Sequence, residues 1–335
     1  MSLLNKLITT TMEQDYVVGI DIGGQTTKMG IVDRKGNVIN EPLVIRTDKH
    51  TDEYLFFNEL AQAIHEIVAK TNTAGKIKGV GIGAPNGNYY KGTIEYAPNL
   101  TWGGNKVIRV TEILTEKLGL TVTLTNDANA AAVGEMIYGA AIGMKDFIMI
   151  TLGTGVGSGI VINGQMVYGH DGFAGELGHT TAVRYNGRQC NCGRVGCLEA
   201  YASAIGLART AREFLEANID REQFNQRSPL RDVQGPITSK DVFLAASQDD
   251  GLSKKVFEFT GMKLGESLAD FVAFSAPQAI ILFGGLTKAG DLIRKPTEHY
   301  MNENMLSIWK NKVPVIFSKL PESDAAILGA SALAW

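Results

Sequence analysis

Apolar residues come in short runs that alternate with glycine or polar turns, the pattern of a chain built from strands and amphipathic helices. The first run, YVVGIDI over 16–22, ends in Gly23-Gly24; a second, 27–32, turns at Arg34-Lys35-Gly36-Asn37, and a third occupies 38–46. These predict three strands, the first two joined as a hairpin whose tip can hold an anion. Residues 52–71 have helical spacing, 78–83 read as a buried strand, 106–118 as a helix and 122–125 as a short strand leading into an alanine-rich helix. The pattern then restarts, with a strand at 147–152, the glycine run GTGVGSG at 153–159, and strands at 160–163 and 166–168. Strand, glycine turn, strand appears at both starts, which predicts an internally duplicated unit. Beyond it come helices at 198–217, 239–247 and 252–275, a strand at 279–283 ending in Gly284-Gly285, a strand at 313–318 and a closing alanine-rich helix at 324–333.

A chain of 335 residues exceeds what one hydrophobic core usually serves. Two α/β domains are expected, one from 1–125 plus 320–335 and a larger one over 126–319 that carries the helical part. With 20 % charged residues, a net charge of −3 and no long basic stretch, a nucleic-acid surface is not expected. No apolar run reaches the roughly 18 residues a membrane span needs. Residues 1–14 lack a signal-peptide cleavage site, and Met12 is an alternative start, so a cytoplasmic location is expected.

The three cysteines of the chain fall within eight residues, Cys190, Cys192 and Cys197, in the pattern CxCGxxGC. An odd, clustered set suits a metal better than disulfides, and the interleaved glycines permit the tight turns that converging sulfurs require. A structural zinc then needs a fourth ligand, for which His179 leads and His170 and Glu199 compete. Asp21 with Gly23, Gly24, Gln25, Thr26, Thr27 and Lys28 joins a carboxylate to backbone N–H groups and hydroxyls that suit phosphate oxygens and a hydrated Mg²⁺. Gly153, Thr154 and Gly155, and again Gly284 and Gly285, make further glycine turns after apolar strands. No GxxxxGK[ST] segment is present, which excludes a P-loop. Asn126 and Asp127 stand where a strand enters a helix. Either can serve as an N-cap, and Asp127 can serve as a general base. Glu176, His179 and Glu199, around the cysteines, are groups that hydrogen-bond vicinal hydroxyls.

These motifs together resemble the ROK family of bacterial sugar kinases and sugar-responsive repressors: Asp21-Ile22-Gly23-Gly24, Asn126-Asp127-Ala128-Asn129-Ala130-Ala131, Gly153-Thr154-Gly155-Val156-Gly157, Gly175-Glu176-Leu177-Gly178-His179, and Cys190 through Glu199. The resemblance spans nearly the whole chain. It implies an actin-like fold of two ribonuclease-H-like domains with an interdomain cleft for ATP and a hexose, a Cys3His zinc, and a homodimer. It implies Asp127 as the base, with Asn99, Asn126, Glu176, His179 and Glu199 facing the sugar. Two departures from the family pattern stand out: Gln25-Thr26 where Thr-Lys is commoner, and Asn86-Gly87 after Gly83-Ala84-Pro85 where glycine follows at once. The form of the Asn126-Asp127 motif points to glucose, ahead of mannose, fructose, N-acetylglucosamine or N-acetylmannosamine. Two other readings are a repressor, for which the 15 residues before Tyr16 leave no room for a DNA-binding module, and a non-catalytic sugar-binding protein.

Overall fold

The hairpin expected at the start forms from β1 (Tyr16–Ile22) and β2 (Thr26–Asp33), paired antiparallel with Asp21 opposite Lys28. The computed structural model describes residues 15–321 and 323–335; the expectations for residues 1–14 lie outside these. β3 (Leu43–Arg46) is shorter than the run at 38–46 suggested. The side chain of Asn40 takes the N–H of Ile31 at 2.7 Å and Pro42 has none to offer, so Val38 keeps only an isolated bridge to Val32.

Helix α1 (Glu53–Lys70) is capped by Asp52, which accepts from Leu55 N at 3.0 Å, and buries Phe56, Phe57, Leu60, Ile64 and Ile67. Trp102 stacks on Phe56 with ring centroids 4.7 Å apart, which closes this core. β4 (Ile77–Gly83) runs parallel to β1. A small antiparallel sheet of β5 (Gly87–Asn88), β6 (Thr93–Glu95) and β7 (Val107–Ile108) follows. Pairing of 107–108 with 94–95 is why α2 (Val110–Leu118) begins four residues later than its periodicity suggested. β8 (Val122–Thr125) completes a sheet ordered β3-β2-β1-β4-β8, and α3 (Asp127–Tyr138) follows it.

The chain divides into two compact units. The first takes in α3, expected in the second, and regains Leu320–Trp335. The cause is the C-terminal helix Ala325–Ala332, whose small side chains let it lie against both the sheet and α3. A Cβ on Gly134 would sit 2.7 Å from Gly329 Cα, and one on Gly19 or Gly81 would overlap the carbonyls of Ile327 or Ala330.

The second unit, Gly139–Lys319, repeats the plan. β9 (Phe147–Leu152) and β10 (Val156–Ile162) form the hairpin, β11 (Gln165–Met166) extends it, and β12 (Ala279–Phe283) and β13 (Val315–Phe317) lie parallel beyond β9. The order β11-β10-β9-β12-β13 matches that of the first sheet position by position, which is the duplication seen in the sequence. β10 starts earlier than expected because ladder pairing uses backbone alone: Gly157 and Gly159 stand opposite Thr151 and Met149. The helix expected over 198–217 is interrupted. Ser203 leaves helical geometry between α4 (Glu199–Ala202) and α5 (Ala204–Glu216) and caps the latter by accepting from Gly206 N at 3.0 Å. α6 (Ile219–Phe224), α7 (Ser239–Ser247), α8 (Gly251–Ser275), the unexpected α9 (Asp291–Asn304) and the C-terminal helix, α10, complete the chain. Pro296 hides α9 from the sequence. Gly261 of α8 makes room for its ring, with a Cβ there only 2.7 Å from Pro296 Cγ.

Candidate active site

In the first unit, sheet register brings the acidic residues together. Asp21 pairs with Gly83, Gly83 pairs with Thr125, and Asp127 follows two residues on as the first residue of α3. Asn126 caps that helix, its Oδ1 accepting from Asn129 N at 2.7 Å, while Ala128 N donates to Asp127 Oδ1 at 2.8 Å. Solvent reaches Asp127, yet protein crowds around it, and that desolvation raises its pKa above the ordinary carboxylate range. Burial, reinforced by the nearby charge of Asp127 and opposed by Lys28, pushes Asp21 up from its ordinary 3.8 to about 6. Two close carboxylates beside a glycine turn can hold a divalent cation and take up a proton.

The turn itself is tight. Gly23 N donates to Thr26 O at 3.0 Å, and a Cβ on Gly24 would lie 2.7 Å from the carbonyl of Asn99, so the loop that bears Asn99 rests directly on the turn. Gln25 is exposed, Thr26 is half-buried, and Lys28 is exposed. Thr27 requires a correction. Its side chain is wholly buried and its hydroxyl bonds Thr47 Oγ1 at 2.8 Å, because strand alternation turns it into the core, away from any phosphate. Asn86 adopts φ +52, the left-handed region asparagine tolerates, and its amide donates to the carbonyls of Glu95 and Tyr96 at 3.0 Å each.

In the second unit, Gly153 N donates to Gly155 O at 3.1 Å to close the turn after β9. Gly284, after the neighbouring parallel strand β12, packs where a Cβ would lie 2.7 Å from Leu152 O, so the second and third glycine turns are adjacent, with Gly285 next to them. Glu176 and His179 lie on a loop fastened to β10: Ser158 Oγ bonds Gly175 O and accepts from Leu177 N at 3.1 Å. Glu199, first residue of α4, accepts from Val156 N at 3.0 Å and from the Cys190 thiol at 3.5 Å.

The ligand atoms of His179, Cys190, Cys192 and Cys197 all lie within 4.8 Å of one another. Cys192 and Cys197 sulfurs are 3.7 Å apart, and Cys190 Sγ is 3.9 Å from His179 Nδ1. A tetrahedral zinc with bonds of about 2.3 Å to sulfur has edges of about 3.8 Å, so this set suits it. His170 is not among these four. Gly193 and Gly196, at φ +87 and +81, supply the reversals expected of them. Arg194 and Arg188 were not anticipated. Arg194 donates to His179 O at 2.8 Å, and the buried Arg188 donates to Ala200 O, Gly206 O and Thr210 Oγ1, so two arginines brace the loop. Only their position beside the cysteines hinted at this; sequence spacing does not say where a long side chain reaches.

The ROK family profile matches residues 17–335. The chain belongs to the ROK family. It is 36 % identical over 291 residues to the glucokinase of Halalkalibacterium halodurans, covering 86 % of each chain, and 30 % identical over 321 residues to that of Thermotoga maritima, covering 95 % of this chain and 96 % of the relative. Among solved structures, the ROK glucokinase of Streptomyces griseus in complex with glucose and AMPPNP matches with a TM-score of 0.74 at 31 % identity, covering 95 % of this chain and 98 % of that one. The fold is thus the actin-like two-domain fold of ROK sugar kinases. No described helix of this ROK protein is long and apolar enough to cross a membrane.

The raised pKa of Asp21 has a measurable consequence. Between 3.8 and about 6 the folded protein holds a proton that the unfolded chain has released, so stability declines as pH rises through that window and levels off above it. Asp21→Asn removes the penalty. It is expected to be more stable than the parent at pH 7, by at most about 3 kcal/mol, with the advantage gone by about pH 4. Thermal denaturation of both proteins at the two pH values checks this; a Tm difference that is the same at both contradicts it.

Proposed function

We propose that this protein is an ATP-dependent hexose kinase that converts glucose to glucose 6-phosphate. The observation that carries the reading is the accessible, pKa-raised Asp127 at the head of α3 beside Asp21, within a chain related along nearly its full length to glucokinases. Asp127 accepts the proton of the sugar's 6-hydroxyl as that oxygen attacks the γ-phosphate of ATP. Its raised pKa brings it nearer the working pH, where a general base is most effective. Because phosphoryl transfer proceeds through a loose transition state, the remaining residues act chiefly by positioning.

Asn99, Asn126, Glu176, His179 and Glu199 hold the sugar hydroxyls. Each oxygen of Glu199 keeps a further lone pair for this purpose beyond its internal bond. Gly23, Gly24, Gln25 and Thr26 at the first turn, and Gly153, Thr154 and Gly155 at the second, present N–H groups and hydroxyls to the phosphates, with Lys28 adding charge and Gly284 and Gly285 bordering the nucleotide. Mg²⁺, held by way of Asp21, would neutralise phosphate charge, and a zinc in the Cys3His set would fix the loop that bears Glu176 and His179. A homodimer, carried by the family resemblance, and a cytoplasmic location, carried by the composition, complete the reading.

Initial rates of ADP release with Mg-ATP across glucose, mannose, fructose, N-acetylglucosamine and N-acetylmannosamine test the proposal. Glucose is expected to show the highest kcat/KM. Another hexose well above it would reassign the substrate, and silence across the panel would favour a sugar-binding protein without turnover.

A further inference from the structure

The turn at 153–155 has two anchors outside itself. Ala204 N donates to Gly153 O at 2.9 Å, and Glu199 Oε2 accepts from Val156 N at 3.0 Å. Both come from the segment 199–204, which directly follows Cys197. A Cβ on Gly155 would overlap Glu199 Oε2, so the turn approaches this carboxylate as closely as glycine permits. The other oxygen, Oε1, faces the Cys190 thiol at 3.5 Å. One carboxylate therefore touches both the glycine turn and the cysteine loop.

We propose that Glu199 is a positioning residue for the nucleotide: its carboxylate ties the glycine turn to the cysteine loop and holds the turn in the form that grips phosphate. This rests on the reading that the turn at 153–155 binds the nucleotide, and it gives Glu199 a task beyond sugar contact. When Cys190 ligates a metal as thiolate it has no proton to donate, so the bond to Val156 N is the one that persists in the loaded protein. A hydrogen bond to a charged acceptor contributes about 1.5–3 kcal/mol, roughly a ten- to hundredfold effect on an equilibrium that depends on it.

The test is calorimetric titration of the zinc-loaded protein with Mg-ADP in the absence of sugar, for the parent, Glu199→Gln and Glu199→Ala, with zinc content measured on each. Glutamine keeps a carbonyl oxygen for Val156 N and alanine does not. Glu199→Gln is expected to bind Mg-ADP within about threefold of the parent and Glu199→Ala about tenfold more weakly or worse. Unchanged ADP affinity in Glu199→Ala, with only glucose affinity reduced, would overturn the proposal, as would equal loss in both variants. If Glu199→Ala loses its zinc, Gly155→Ala decides, because its Cβ displaces the carboxylate with the cysteine loop intact; the same weakening of ADP is expected, and unaltered affinity refutes the tie. A parent protein that binds no Mg-ADP would overturn the nucleotide assignment of the turn itself, whereas lack of hexose turnover with ADP bound would count against the kinase reading alone.

Discussion

Asp127→Asn is expected to lower kcat by about 10³- to 10⁴-fold while leaving glucose affinity within a few-fold of the parent. Asparagine has nearly the same shape and keeps an oxygen for Ala128 N, the bond that holds this residue at the start of α3 at 2.8 Å. The helix start and the Asn126 cap should survive, so the change removes a proton acceptor and little else. A second effect follows from the neighbouring carboxylate. The charge of Asp127 helps to hold Asp21 at about 6, so neutralising it should move the titration of Asp21 to lower pH. Steady-state kinetics with calorimetric glucose binding measures the first effect, and the pH dependence of stability measures the second. Turnover retained in Asp127→Asn would remove Asp127 as the base.

Cys192→Ser is expected to abolish metal binding and to lower Tm by about 10 °C or more. Cys192 is exposed, whereas Cys190 and Cys197 are buried, and serine is close to cysteine in size. Little packing is lost, so the effect reads the metal. Structural zinc sites in small domains carry on the order of 10 kcal/mol of folding free energy, comparable with the whole stability of a typical domain. In this larger chain the loss should concentrate in the loop that joins His179 to the cysteines, and through Arg194 in the segment around Glu176. Metal analysis and thermal denaturation of parent and variant provide the check. A metal-free Cys192→Ser protein with full activity and unaltered Tm would exclude a structural metal.

Much of this architecture was legible because the motifs are local. The run at 16–22, the glycine run after Leu152 and the apolar strand before Gly284 each announce a strand and its turn within a few residues. Elements that failed to announce themselves depend on distant partners. The pair 107–108 reads as helix until its partner strand at 94–95 is considered, and α9 carries a proline whose ring fits where Gly261 lies opposite. Thr27 looked like a phosphate ligand by its neighbours in sequence, and only the sheet reveals that its side chain faces Thr47 in the core.

What local sequence carries is residue types and their spacing: the duplicated strand-turn-strand unit, the three clustered cysteines, the Asn-Asp pair at a helix start and the absence of a P-loop. These follow from local rules, since strand periodicity, caps and glycine turns need only a few neighbouring residues. Which of those groups meet, His179 rather than His170 with the cysteines among them, follows from packing. Register across β1, β4 and β8 places Asp21 by Asp127 and raises its pKa, and packing of α10 retains α3 in the first unit. Packing also sets Glu199 between a glycine turn and a cysteine 43 and nine residues away along the chain. Contacts at such separations depend on how elements stack, and no periodicity in a linear chain encodes that directly.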